Sequence, residues 1–128
     1  MMTEEISMRV AEFILTRNME ELANLKEIQI AESIGVDSFD CSYCFKTEKQ
    51  MAISEYILRE KIYRAYFILR KDAEISIEKL SNDLGFAKVE DFNFEFERYF
   101  AISPKNYQNL DHKNHSSLGK GDFTSPGM

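Results

Sequence analysis

The feature that most limits what this chain can fold into is a pattern that occurs twice. IAESIGVDSFDCSYCFK, from Ile30, and LSNDLGFAKVEDFNFEFE, from Leu80, share a short apolar-faced segment, a glycine and a second segment with apolar residues in matching slots, about fifty residues apart. Helix, tight glycine corner, helix is the helix-turn-helix unit, and in DNA-binding proteins its second helix lies in the major groove. Glycine suits the corner because a left-handed backbone is favoured there, which a side chain opposes. One such match is weak, since many helical proteins contain short glycine-ended helices. Two copies joined by a basic amphipathic helix are much more specific.

The rest of the chain also repeats at helical spacing. Val10, Phe13 and Ile14 form a first amphipathic segment, and Leu25, Ile28, Ala31 and Ile34 a short second one that stops at Gly35. Asp37 or Ser38 is the expected cap of a third segment through Phe45. Ser54 is the expected cap of ISEYILREKIYRAYFILRKD, which interleaves Tyr56, Ile57, Ile62, Ala65, Tyr66, Ile68 and Leu69 with Arg59, Lys61, Arg64, Arg70 and Lys71. Ile77, Leu80 and Leu84 lead to Gly85, and a further helix from Lys88 to Phe100 ends before Ser103-Pro104. No long window alternates in strand fashion, so the expected class is all-α. The boundaries follow: residues 1–53 a first helix-turn-helix subdomain, 54–71 a linker helix, 72–110 a second subdomain, and 111–128 a polar, disordered tail.

Charge and composition exclude several classes. A chain of 128 residues suits one compact domain, and with 30% charged residues no apolar run approaches transmembrane length. The start, MMTEEISMRV, has early acids and no basic-then-apolar signal, so a cytoplasmic location is the default. No glycine-rich phosphate loop occurs, and no nucleophile, base and orienting group fall together, so neither an enzyme nor a cofactor is expected. Glu4, Glu5, Glu12, Glu20 and Glu21 read as solvated helix faces. The formal net charge of -6 opposes generic nucleic-acid binding, which calls for a basic surplus.

CSYC holds both cysteines, at a spacing used by redox enzymes and zinc sites. Cys41 occupies the apolar slot matched by Phe92 in the second copy, so it should point into the core, with Cys44 at that core's edge. Asp37 and Asp40 precede the pair and work against a thiolate. A zinc site would need His112 and His115 from the tail, at a spacing shorter than zinc fingers use. Packing is the expectation, and no metal site is assigned.

Four stretches carry a family resemblance: IAESIG with Phe45-Lys46, SEYILREKIYRAYFIL, ISIEKLSNDLGF and FERYFAISPKNY, the last with Phe96, Ser103, Pro104 and Tyr107 in the places of a closing signature. Across residues 10–110 the chain resembles the DNA-binding domain of AraC/XylS-family bacterial transcription regulators. The resemblance implies two homeodomain-like helix-turn-helix subdomains on a linker helix that holds their reading helices one DNA turn apart, in a stand-alone regulator without a ligand-sensing domain. It puts Phe39, Ser42 and Tyr43 of the first reading helix, and Val89, Glu90, Asn93 and Phe94 of the second, at base edges. Lys46, Lys49, Arg59, Lys61, Arg64 and Lys88 are the phosphate-facing candidates. Glu90, Asp91, Glu95 and Glu97 make the second reading helix the poorer binder, and Glu97 stands where the family usually has lysine. Expected partners are duplex DNA and RNA polymerase or another regulator, with the protein acting as a monomer away from membranes. The competing reading is a diverged copy of the fold that has lost DNA binding and uses DFNFEFERYF as a protein-interaction helix.

Overall fold

The computed structural model describes residues 2–117, and its regular structure is entirely helical. In chain order the helices are α1 (Thr3–Leu15), α2 (Met19–Ala23), α3 (Glu27–Ile34), α4 (Ser38–Lys49), α5 (Ile53–Lys71), α6 (Ile77–Asp83), α7 (Val89–Phe100) and α8 (Pro104–Ser117). The two repeated stretches are the pairs α3–α4 and α6–α7, with Gly35 and Gly85 at their corners in left-handed conformation, φ 73° and 89°.

Each pair closes over its own core. Ile6, Val10 and Ile14 of α1 meet Ile30 and Ala31 of α3, Cys41, Cys44 and Phe45 of α4, and Ile53 and Ile57 at the start of α5. The second core takes Ile62, Ala65 and Leu69 from the later turns of α5, then Leu80 and Leu84, then Phe92 and Phe96 of α7. Helix α5 therefore switches allegiance halfway, and its stiffness couples the two subdomains. Fully burying a side chain such as Phe92 or Phe96, both 0% exposed, contributes about 2–3 kcal/mol.

Helix α2 was not anticipated, because five residues show no period. It is started by a capping box, in which Glu21 N donates to Asn18 Oδ1 at 2.8 Å and Asn18 N donates to Glu21 Oε1 at 2.9 Å. Its one buried side chain, Leu22, belongs to the first core, while Met19 packs on the second. The backbone of Ala23 lies directly against Gly85, so α2 wedges between the subdomains.

Three further sequence expectations are corrected. Helix α5 begins at Ile53 with Ala52 as N-cap, so Ser54 is an exposed residue of the first turn and not the cap. Ile28 is 55% exposed, since the core face of α3 is carried by Ile30 and Ala31. Helix α7 ends at Phe100, before Ser103-Pro104 as expected, but the stretch from residue 111, expected to be a disordered tail, is entered by a further helix, α8, which Pro104 opens, where a missing N–H costs nothing. Ser103 caps α8 by accepting from Asn106 N at 3.1 Å, and Tyr107 stacks on Tyr66 with centroids 4.7 Å apart. Buried Gln108 donates through Nε2 to the Asp72 and Ile75 carbonyls, both at 3.1 Å, pinning α8 to the loop between α5 and α6. The helix continues to Ser117, into the stretch read as tail; residues 118–128 lie outside the described residues, as do the side chains of His112 and His115.

Ser81 is buried with no hydrogen-bond partner for its Oγ. Its desolvation is uncompensated, so Ser81→Ala is expected to leave stability unchanged or raise it by about 1 kcal/mol. Urea denaturation checks this, and a loss of stability would mean that the hydroxyl has a partner in solution.

Candidate nucleic-acid interface

Helix α4 is apolar on both sides, for different reasons on each. Its inner side buries Cys41, Cys44 and Phe45, and an edge contact between Phe45 and Tyr56 (5.1 Å) fastens it to α5. Its outer side leaves Phe39 74% and Tyr43 62% exposed, one turn apart, with Ser42 exposed between them. Asp37 caps the helix, accepting from Phe39 N at 3.0 Å and Asp40 N at 3.4 Å. Lys46 and Lys49 occupy the last turn and are exposed, where they also oppose the helix dipole.

Both cysteines are free and buried, as the packing reading expected. Burial first, then the neighbouring Cys44 and the carboxylates Asp37, Asp40 and Glu27, push the Cys41 thiol up from 9.0. Because the folded chain holds this proton more tightly than the unfolded one, the thiol costs no stability below pH 9.0 and destabilises as pH rises past it. Alkylation by iodoacetamide at pH 8 should be at least about tenfold slower in the folded chain than in urea. Equal rates would show the pair to be open and reactive.

Helix α7 has the same plan with opposite charge. Phe92 and Phe96 are buried, Phe94 is 66% exposed, and Glu90, Asp91 and Glu97 surround it on the exposed side. Val89 and Asn93 are half-buried and line a groove of about 560 Å³ with Glu74, Ser76, Glu78 and Lys105. Lys88 precedes the helix as an exposed N-cap residue that makes no capping bond.

Of the α5 cations, Arg59, Lys61 and Arg64 each have a partner within the chain, while Arg70 and Lys71 are exposed in the last turn. Arg64 Nε donates to Glu60 Oε2 at 2.8 Å, and its NH2 group reaches the Leu15 carbonyl at the end of α1 at 3.2 Å. Arg59 lies over Tyr56 and Tyr63, 4.9 and 5.7 Å from the ring centroids. Lys61 lies 5.7 Å from the Phe86 ring, and burial pushes its pKa down. Arg64 thus ties α5 to the first subdomain and Lys61 ties it to the second. Only long-range contacts show this, and nothing in the local spacing signals it.

A polar cluster that the sequence did not suggest joins α5 to α7. Arg98 NH2 donates to Glu55 Oε2 at 3.0 Å and Arg98 Nε to Glu95 Oε1 at 2.7 Å, while the Tyr99 hydroxyl donates to the same Glu55 oxygen. The Tyr99 bond and the Arg98 guanidinium hold Glu55 below the usual carboxylate range, against its partial burial. Burial and the Glu55 carboxylate push Tyr99 up to about 12. The two carboxylates hold Arg98 above its ordinary value.

Two helix-turn-helix units hung on one long helix define a double helix-turn-helix domain, with an exposed outer helix in each unit. That is the fold of AraC-type DNA-binding domains. The chain superposes with a TM-score of 0.75 and 20% identity on a transcriptional regulator (AraC-type DNA-binding domain-containing proteins) from Chromobacterium violaceum, covering 84% of this chain and 93% of that one. It superposes with a TM-score of 0.71 and 19% identity on the C-terminal domain of AraT, a response regulator from Geobacillus stearothermophilus, covering 82% and 84%. In sequence it is 27% identical over 86 residues to the Msm operon regulatory protein of Streptococcus mutans. That match takes in 67% of this chain and 31% of that protein, so the chain spans about a third of its curated relative. Each of these similar proteins is named as a regulator. No protein-family model matches the chain. Among the described residues, no helix is long and apolar enough to cross a membrane.

Proposed function

We propose that this chain is a DNA-binding transcription-regulator module that engages duplex DNA chiefly through α4. The observation that carries the reading is the outer face of α4, where Phe39, Ser42 and Tyr43 stand exposed above the exposed Lys46 and Lys49. Large aromatic surface left in water on the second helix of a helix-turn-helix calls for a ligand that covers it. Thymine methyl groups suit Phe39 and Tyr43, base-edge polar groups suit Ser42, and phosphates suit the two lysines.

Helix α7 supplies discrimination with little affinity. Asn93 can pair with adenine and Val89 can press on a methyl group, while Glu90, Asp91 and Glu97 repel phosphate. Arg59, Lys61 and Arg64 act mainly by fixing α5, given the partners they already have. Protein partners such as RNA polymerase or another regulator, action as a monomer, and a cytoplasmic location belong to this proposal.

Fluorescence anisotropy with a labelled mixed-sequence duplex, titrated with salt from low ionic strength, tests it. Micromolar or tighter binding that weakens steeply with salt supports the reading. No binding at low salt would instead support the second reading, in which Phe94 among the exposed carboxylates of α7 meets a protein.

A further inference from the structure

The Glu55, Arg98 and Tyr99 cluster joins two parts of the molecule that have separate cores. Glu55 lies between Ile53 and Ile57, both in the first core, on the first turn of α5, ahead of the residues that α5 gives to the second core. Arg98 and Tyr99 lie just past Phe96, in the second core, on the last turns of α7. One carboxylate oxygen of Glu55 receives both the guanidinium and the phenol, and the other guanidinium edge is held by Glu95 one turn back on α7. Arg98 also packs over Tyr99, 4.7 Å from the ring centroid, and Tyr99 makes an edge contact with Tyr63 of α5 at 6.3 Å. A planar guanidinium gripped on two edges has little freedom to swing.

We propose that Glu55 and Arg98 are positioning residues that latch the second outer helix to the first subdomain, and so fix where Val89, Asn93 and Phe94 fall once α4 is seated on a duplex. The DNA consequence rests on the function proposed above; the latch itself does not. The subdomains are also joined by α5, whose Ile62, Ala65 and Leu69 pack with Phe92 and Phe96, and by α2, through Gly85 against Ala23 and Met19 on the second core, so α7 stays folded when the latch opens while its angle to the first subdomain loses one constraint. Both latch residues are partly exposed, and their role is orientation more than stability.

The latch is tested in the full chain by amide residual dipolar couplings, for the unmodified protein and for Arg98→Met and Glu55→Met. In the unmodified chain the couplings of α4 and α7 should fit one alignment tensor with the orientation described here. In either variant the α7 couplings should depart from that tensor or shrink, while those of α1, α3 and α4 hold. Glu55→Met keeps the side-chain length but leaves no oxygen to accept from Arg98 and Tyr99, so it decides the matter if Arg98→Met does not fold. Unchanged α7 couplings in a folded variant overturn the latch. Selection from a random-sequence duplex pool tests the consequence. The unmodified chain should enrich a main motif with a second preference about one helical turn away, and the variants should keep the main motif but lose or blur the second at least about tenfold in enrichment. An unchanged second preference despite shifted couplings overturns the DNA consequence. Failure of the unmodified chain to enrich any sequence overturns the DNA reading, and the couplings alone then decide the latch.

Discussion

Replacing Gly85 with alanine should destabilise the protein by about 3 kcal/mol, lowering Tm by about 10 °C, whereas the same change at Gly35 should cost about 1 kcal/mol and about 4 °C. Both glycines hold a left-handed backbone, φ 89° and 73°, so both substitutions carry the conformational penalty of a Cβ in that region. What differs is the space around them. A Cβ at Gly35 meets nothing within 4 Å, but one at Gly85 collides with the carbonyl oxygen of Ala23 and comes within 3.1 Å of its Cα and C. Those atoms are backbone, held by α2, and cannot rotate out of the way as a side-chain tip would. Relief requires α2 to move off the second subdomain, which also loosens Met19 from its core. Asparagine tolerates the left-handed region, so Gly35→Asn should be nearly neutral while Gly85→Asn stays severe. Thermal and urea unfolding of the four variants settles this, and equal losses at the two corners would mean that α2 is not seated against the second turn.

The contrast between the glycines also shows where the sequence stops being informative. That both corners need glycine was legible, because stop signals and helical period are local properties of the chain. That one corner is also a contact between subdomains was not, because the contact is made by α2, whose five residues lie too far away and are too few to show a pattern. The same divide runs through the other expectations. The inward placement of Cys41, matched to Phe92, and the outward placement of Phe94 followed from period alone, and both hold. The basic stripe of α5 also followed from period, but period gives only direction. It does not show that Arg64 meets Leu15 or that Lys61 lies over Phe86. The end of α7 before Ser103-Pro104 was legible and holds, whereas the helix that Pro104 opens was not, because Pro104 at a first helical position and Ser103 as its cap read equally well as a turn.

Lys46→Glu together with Lys49→Glu should weaken duplex binding by about tenfold per lysine and flatten the dependence of log affinity on log salt by about one unit for each. The argument rests on which cations are free to meet phosphate in an acidic protein of net charge -6. Lys46 and Lys49 are exposed in the last turn of α4, where the helix dipole makes only a weak claim on an ammonium. Arg64 is the internal control, because its guanidinium already serves Glu60 and the Leu15 carbonyl. Arg64→Met should therefore lower Tm while leaving the salt slope unchanged. The aromatic pair supplies the other half of the test: Tyr43→Ala removes a 62% exposed ring that contributes little to the core, so it should spare stability and reduce sequence discrimination without changing the slope. Anisotropy titrations across salt for these variants, beside their melting curves, separate the three roles. A lysine pair that leaves the slope untouched while Arg64→Met flattens it would move the phosphate contact from α4 to α5, and the proposed docking of α4 would be wrong.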